Sequence, residues 1–186
     1  MPHVAALASL AFALAAGATL LASRDEGEPR WSGASIRVTP VLQPCVDVML
    51  QRSRTFRSLF DALSRRSDLR VSILLDERAS SNRARHRATT TIRRSGARRE
   101  ATVLLFDPEQ PVELIAHELE HVREQAEGLN LPLLASAHWP GIFRHWDGTF
   151  ETRRAQETGE QVANQVGSSG RLCLSMSYVS LASRPQ

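Results

Sequence analysis

Apolar positions recur along the chain with two different periods. From 45 to about 64, Val46, Met49, Phe56, Leu59, Phe60 and Leu63 fall at three- and four-residue spacing with arginines between them, which predicts one helix. A short extended piece around Ile36-Arg37-Val38 precedes it. Three runs of strand character follow, at 69–75, 88–94 and 101–106; the middle one is rich in β-branched residues, as a half-exposed strand would be, and Ser95-Gly96-Ala97 reads as a hairpin turn. The helical period then returns. Asp107-Pro108 can open a helix with Asp as cap and Gln110 closing a capping box, and Pro111 allows a start three residues later. That helix should run to about Glu127 and stop at Gly128. A loop-rich stretch, 129–148, leads to a third helix over 149–166. Gly167-Ser168-Ser169-Gly170 then breaks the chain before a last apolar run at 172–181. The expected fold is α+β: an N-terminal helix, a small three-stranded sheet, a central helix and a C-terminal helix.

The first residues follow neither period. An uncharged, mostly apolar run over 4–22 is followed by Ser23-Arg24-Asp25-Glu26-Gly27-Glu28, which predicts an export signal over 1–22. An uncleaved membrane anchor is the alternative, because a run of this length nearly spans a bilayer. A polar linker, 23–33, and a single folded domain, 34–186, would follow, placed outside the cytoplasm on either reading. Cys45 and Cys173 lie too far apart for any metal-ligand pair and suit a long-range disulfide in an oxidising compartment, two separate buried thiols being the other reading.

Charge adds little to this picture. All 23 basic residues counted in Lys+Arg are arginines, and eight lie between Arg78 and Arg99, yet the formal net charge is only +3. With no aromatic residues among these arginines and no nucleic-acid motif, they read as a solvated loop and strand face, and no nucleic-acid partner is expected. Membrane contact is expected only through the N-terminal run.

The chemistry is concentrated in His117-Glu118-Leu119-Glu120-His121. Residues four apart stand one turn above each other on a helix, so His117 and His121 can present two imidazole nitrogens to one ion, with Glu118 offset by about a quarter turn. That arrangement suits zinc, and its chance occurrence in a chain of this composition is roughly one per cent. The helical wheel puts Leu114, Ile115 and Val122 inward with His117, Glu118 and His121, and turns Glu120, Arg123, Glu124 and Glu127 outward. The plainer reading is a pair of core histidines satisfied by hydrogen bonds, with Glu118 bridging them or pairing with an arginine.

On this motif the chain resembles the zincin metallopeptidases over about 101–166. It also resembles small exported bacterial zincin-like proteins of unassigned function, through Phe150-Glu151-Thr152-Arg153-Arg154-Ala155. The resemblance implies a Zn2+ cofactor, a peptide or protein substrate, and hydrolysis of a peptide bond with Glu118 as general base. In the gluzincin branch it implies a downstream glutamate as third metal ligand. Among Glu151, Glu157 and Glu160, helical periodicity favours Glu151, which falls on the face of Ala155, Thr158, Val162 and Val166. Glu127, His138 and His145 are rivals. Ala155 stands where many gluzincins carry an aspartate that orients a ligand histidine, so another carboxylate or a carbonyl must do that work. His138, His145, Arg154 and Tyr178 are the groups available to stabilise a transition state. Strand 101–106 is the edge on which an extended peptide would pair. A non-catalytic zinc-binding interaction domain is the competing function.

Overall fold

The computed structural model describes residues 30–32, 36–76, 87–107, 109–170 and 173–174. The expected export signal, most of the linker, Arg78, Arg83, Arg85, Tyr178 and most of the last apolar run lie outside the described residues. Along the chain come β1 (Arg30–Ser32), β2 (Ile36–Val38), a 3-10 turn, α1 (Gln43–Arg52), α2 (Arg54–Ser64), β3 (Leu69–Leu75), β4 (Ala88–Ser95) and β5 (Arg98–Leu105). They are followed by α3 (Pro111–Ala126), α4 (Leu131–Ser136), β6 (Ile142–Arg144), β7 (Phe150–Thr152), α5 (Arg153–Val166) and a final 3-10 turn. The architecture is α+β, as expected.

The sheet is larger than the three strands expected. Its order is β1-β2-β3-β5-β4, with β2, β3 and β5 parallel and the outer strands β1 and β4 antiparallel to their neighbours. Alternation explains which face is buried. Leu69, Val71 and Ile73 of β3 stand in register with the β5 positions Arg99, Ala101 and Val103, and the apolar members of these pairs enter one core with Ile115, Leu119 and Val122 of α3. Because β5 lies between β3 and β4, it is paired on both sides. The edge nearest α3 is therefore β4, not the 101–106 strand.

The helix expected over 45–64 is two helices broken at Ser53. Ser53 is extended (φ −105°, ψ 116°), and its Oγ accepts from the Phe56 N–H at 3.0 Å, capping α2. The same hydroxyl donates to Gln165 Oε1 of α5 at 2.6 Å. A serine that satisfies an orphan N–H of a new helix competes with continuation of the old one. Ser53→Ala should cost about 1–2 kcal/mol in denaturant unfolding, the upper part of the usual cap range because the hydroxyl is buried and also holds Gln165.

At α3 the later of the two starts is used, with Pro111 in the first turn. Asp107 does not cap it. Its Oδ1 accepts from the Glu109 N–H at 2.8 Å and its Oδ2 from Arg87 at 2.9 Å, which turns the chain one step earlier. At the other end Gly128 takes φ +90°, and Arg99 of β5 donates to the carbonyls of Gln125 and Ala126, so a cluster arginine closes the helix terminus. Against α3 lies α5. Gly159 permits this approach: a Cβ there would stand 3.0 Å from the Glu113 carbonyl oxygen and 3.2 Å from His117 Cβ.

The third helix begins at Arg153 rather than at 149. Thr152 is its cap, accepting from the Ala155 N–H at 3.0 Å, while Phe150–Thr152 pair as a strand with β6. Cys45 in α1 and Cys173 beyond α5 form a disulfide with a Cα–Cα distance of 4.9 Å across 128 residues of sequence. The bond fits an oxidising compartment. Among the described residues no helix is long and apolar enough to cross a membrane.

Candidate metal centre

One turn of α3 sets the two imidazoles 4.9 Å apart, centroid to centroid, with their planes at 79°. The third group arrives from another element. Strand β7 carries Glu151 across the rings, with Oε2 3.2 Å from His117 Nε2 and Oε1 3.4 Å from His121 Nε2. One ligand atom from each residue lies within 4.8 Å of the others, so the three can hold a metal ion. Glu151 is thus the partner the helical wheel pointed to, but it sits on a strand before α5 and reaches the site through the β6–β7 hairpin. Glu157 and Glu160 are exposed on α5, Glu127 pairs with Arg154 at 2.8 Å, and His138 is exposed; none joins the group.

Glu118 is buried beside the imidazoles. Thr90 of β4 donates its hydroxyl hydrogen to Glu118 Oε2 at 2.6 Å and shares it with the Glu118 carbonyl at 3.2 Å, tying the carboxylate to the sheet edge. No other described residue hydrogen-bonds this carboxylate.

The wheel misplaces two carboxylates. Glu120 and Glu124 are expected outward, yet they are 0% and 1% exposed. Helix α3 is covered by β4 and β5 on one side and by α2 and α5 on another, so little of its circumference faces water. Glu120 is matched by Arg123 at 2.7 Å and Arg154 at 2.5 Å. Burial nevertheless outweighs both guanidinium groups and raises its carboxyl above the usual range. Arg154, bound to Glu120 and Glu127, is committed to this pairing and not to the metal group.

Glu124 supplies what Ala155 lacks. Its Oε2 lies 3.0 Å from His121 Nδ1, and its Oε1 accepts from Thr152 Oγ1 at 2.8 Å. A carboxylate there keeps the proton on Nδ1 and leaves Nε2 as the nitrogen that faces Glu151 and can ligate a metal. The Thr152 N–H in turn donates to Glu151 Oε1 at 2.7 Å, so one buried chain of contacts orients a histidine and a glutamate of the triad together. Glu124→Ala should weaken zinc binding about 10–100-fold, measured by competition with a chromogenic chelator, with helical content unchanged. Unaltered affinity would show that Nδ1 needs no carboxylate.

The electrostatics call for a cation. Glu118, Glu124 and Glu151 surround two imidazoles. Burial lowers the affinity of His121 for a proton, but the hydrogen bonds with Glu124 and Glu151 and the charge of Glu118 overcome it, holding its pKa at about 10. Burial likewise raises the Glu151 carboxyl, and its hydrogen bonds to His117 and His121 more than reverse this, to about 2. A proton on His121 meets the demand for positive charge when no metal is bound. The residues fit zinc in type and number: two imidazole nitrogens and a carboxylate on one side, with room for a further ligand on the other.

That room is a cavity of about 240 Å³. Its floor is His117, Glu118, His121 and Gln125; one wall is β4, and the other includes Leu131, His145 and Glu151. Among the described residues, His145 lines the cavity, and His138 and Arg154 do not. A larger cavity of about 760 Å³ lies at the start of α3, lined by residues such as Glu109, Val112 and Asn164, and contains neither imidazole nor thiol.

Sequence reading missed Thr90, Glu124, Thr152 and Gly159. Only Glu124 carried a local signal, since it stands three residues after His121 on the same side of the helix. No protein-family model, curated protein or solved structure matches this chain.

Proposed function

We propose that the chain is a zinc-dependent hydrolase that cleaves peptide bonds. The observation that carries this reading is the arrangement of His117, His121 and Glu151 at the floor of an open cavity with Glu118 beside them. A bound zinc ion would supply Lewis-acid polarisation of a carbonyl and acidify a water. Glu118 takes the proton from the attacking water and delivers it to the departing amine. Thr90 holds one of its oxygens, so the carboxylate keeps its aim during the transfer. Glu124 holds His121 in the tautomer that leaves Nε2 free to ligate.

Strand β4 supports a polypeptide substrate. Among the described residues it is the last strand of the sheet, it lines the cavity with Ala88, Thr89, Thr90 and Ile92, and an extended peptide can add to such an edge through main-chain hydrogen bonds. The competing reading, a zinc-binding interaction domain without activity, would be favoured by a protein partner or the 129–148 loop closing the fourth ligand position; the cavity of about 240 Å³ beside the triad supports the enzyme over closure by the loop. The test is direct. The full chain loaded with one equivalent of zinc should cleave members of a mixed peptide library, and a chelator should stop it. Stoichiometric zinc binding with no cleavage would favour the interaction domain.

A further inference from the structure

The exposed large apolar side chains among the described residues are Leu133, Trp139, Phe143 and Trp146, and all four belong to the arm of α4 and the β6–β7 hairpin. Isolated exposed apolar residues are ordinary, but concentration on one small element marks a surface that meets something. The strand register says where part of this surface faces. Phe143 lies directly opposite Glu151 in the antiparallel pair. Directly opposed residues project from the same face of a ribbon with Cβ atoms about 5 Å apart, so Phe143, 46% exposed, projects from the face of the hairpin that carries the triad carboxylate, next to the residues that line the cavity rather than among them. At the end of the hairpin His145 and Thr149 close the turn, the His145 N–H donating to the Thr149 carbonyl at 2.9 Å, and both line the cavity.

The arm and β4 thus form two walls over the floor of α3. Among the described residues that line the cavity, none apart from Glu118 and Glu151 is Asp, Glu, Lys or Arg. We propose that the arm selects the substrate, Phe143 receiving a large uncharged apolar side chain of an extended polypeptide whose backbone adds to β4. The proposal rests on the polypeptide reading given above. A lipid surface would leave the β4 edge without a role, whereas a polypeptide uses both the edge and the apolar wall.

The experiment uses the full chain carrying Glu118→Gln, loaded with zinc, so that binding is read without turnover. Two dye-labelled ten-residue peptides, identical except for Phe-Leu or Ser-Ser at the centre, are titrated by fluorescence polarisation. The Phe-Leu peptide should bind about tenfold or more tightly, the scale on which apolar pockets discriminate. Phe143→Ser should bring the two within about twofold with zinc stoichiometry unchanged, and Phe143→Leu should restore most of the preference. Equal binding of the two peptides, a preference that survives Phe143→Ser, or Phe143-dependent binding to phosphatidylglycerol vesicles without peptide preference would overturn the proposal. Selective binding by this variant together with no cleavage by the zinc-loaded native chain would leave the arm's role intact and remove the peptidase reading. Cleavage without selectivity would do the reverse.

Discussion

Glu118→Gln is expected to keep one zinc ion per chain while peptide hydrolysis falls by about 10²–10⁴-fold, the range of general acid–base contributions. The two side chains are nearly the same size, and the glutamine carbonyl oxygen can still accept from the Thr90 hydroxyl that now holds Oε2. His117, His121 and Glu151 are untouched, so zinc affinity should change by no more than a few-fold. What disappears is the proton acceptor. Because the change removes an interaction made only as the water is activated, kcat should fall with little change in KM. Retained turnover would mean that another group is the base. A parallel loss of zinc would mean that Glu118 serves the metal group and not the reaction.

The second large effect is on stability. Cys45→Ser with Cys173→Ser opens a loop closed across 128 residues, for which the chain-entropy account gives about 5 kcal/mol. Measured losses from native disulfides run at about 2–5 kcal/mol, so a fall in Tm of about 4–20 °C is expected for a chain of this size. The consequence should be global rather than local. The bond joins α1 to the chain just after α5, and α5 packs along α3, which carries the histidines. At temperatures where the variant is still folded, zinc affinity should be close to that of the parent. A thermal scan followed by calorimetric zinc titration checks both statements. An unchanged Tm would show that packing alone holds α1 and the chain end together.

Both expectations depend on elements that were unequally legible in the chain. The helix carrying His117 and His121 follows from local period, since a 3.6-residue repeat decides that residues four apart share a face wherever the helix packs. Strands β3, β4 and β5 were legible from alternation and β-branching, and the long-range cysteine pairing from spacing. Glu151 was reached by a wheel drawn for a helix it does not occupy. The wheel ranked Glu157 and Glu160 correctly because they are in α5, and the chain entering that helix from β7 brings Glu151 to the same side.

Other decisions needed partners that local sequence does not announce. Ser53 breaks a helix because its hydroxyl meets both Phe56 and, 112 positions away, Gln165. The sheet order that puts β4 outermost, beside the cavity, depends on β3 pairing with β5, a choice that alternation leaves open.

By itself, then, the sequence determined where the candidate site lies: two histidines one turn apart with Glu118 between them, and a cysteine pair. Only the tertiary structure decided how they are held. A periodic pattern states which face of an element is apolar, but a carboxylate can be buried wherever the fold provides a donor. The donor for Glu118 is Thr90, and the contacts that hold Glu124 come from His121 and Thr152. Thr90 and Thr152 each stand 28 positions from the glutamate they hold, a distance over which no local period reaches.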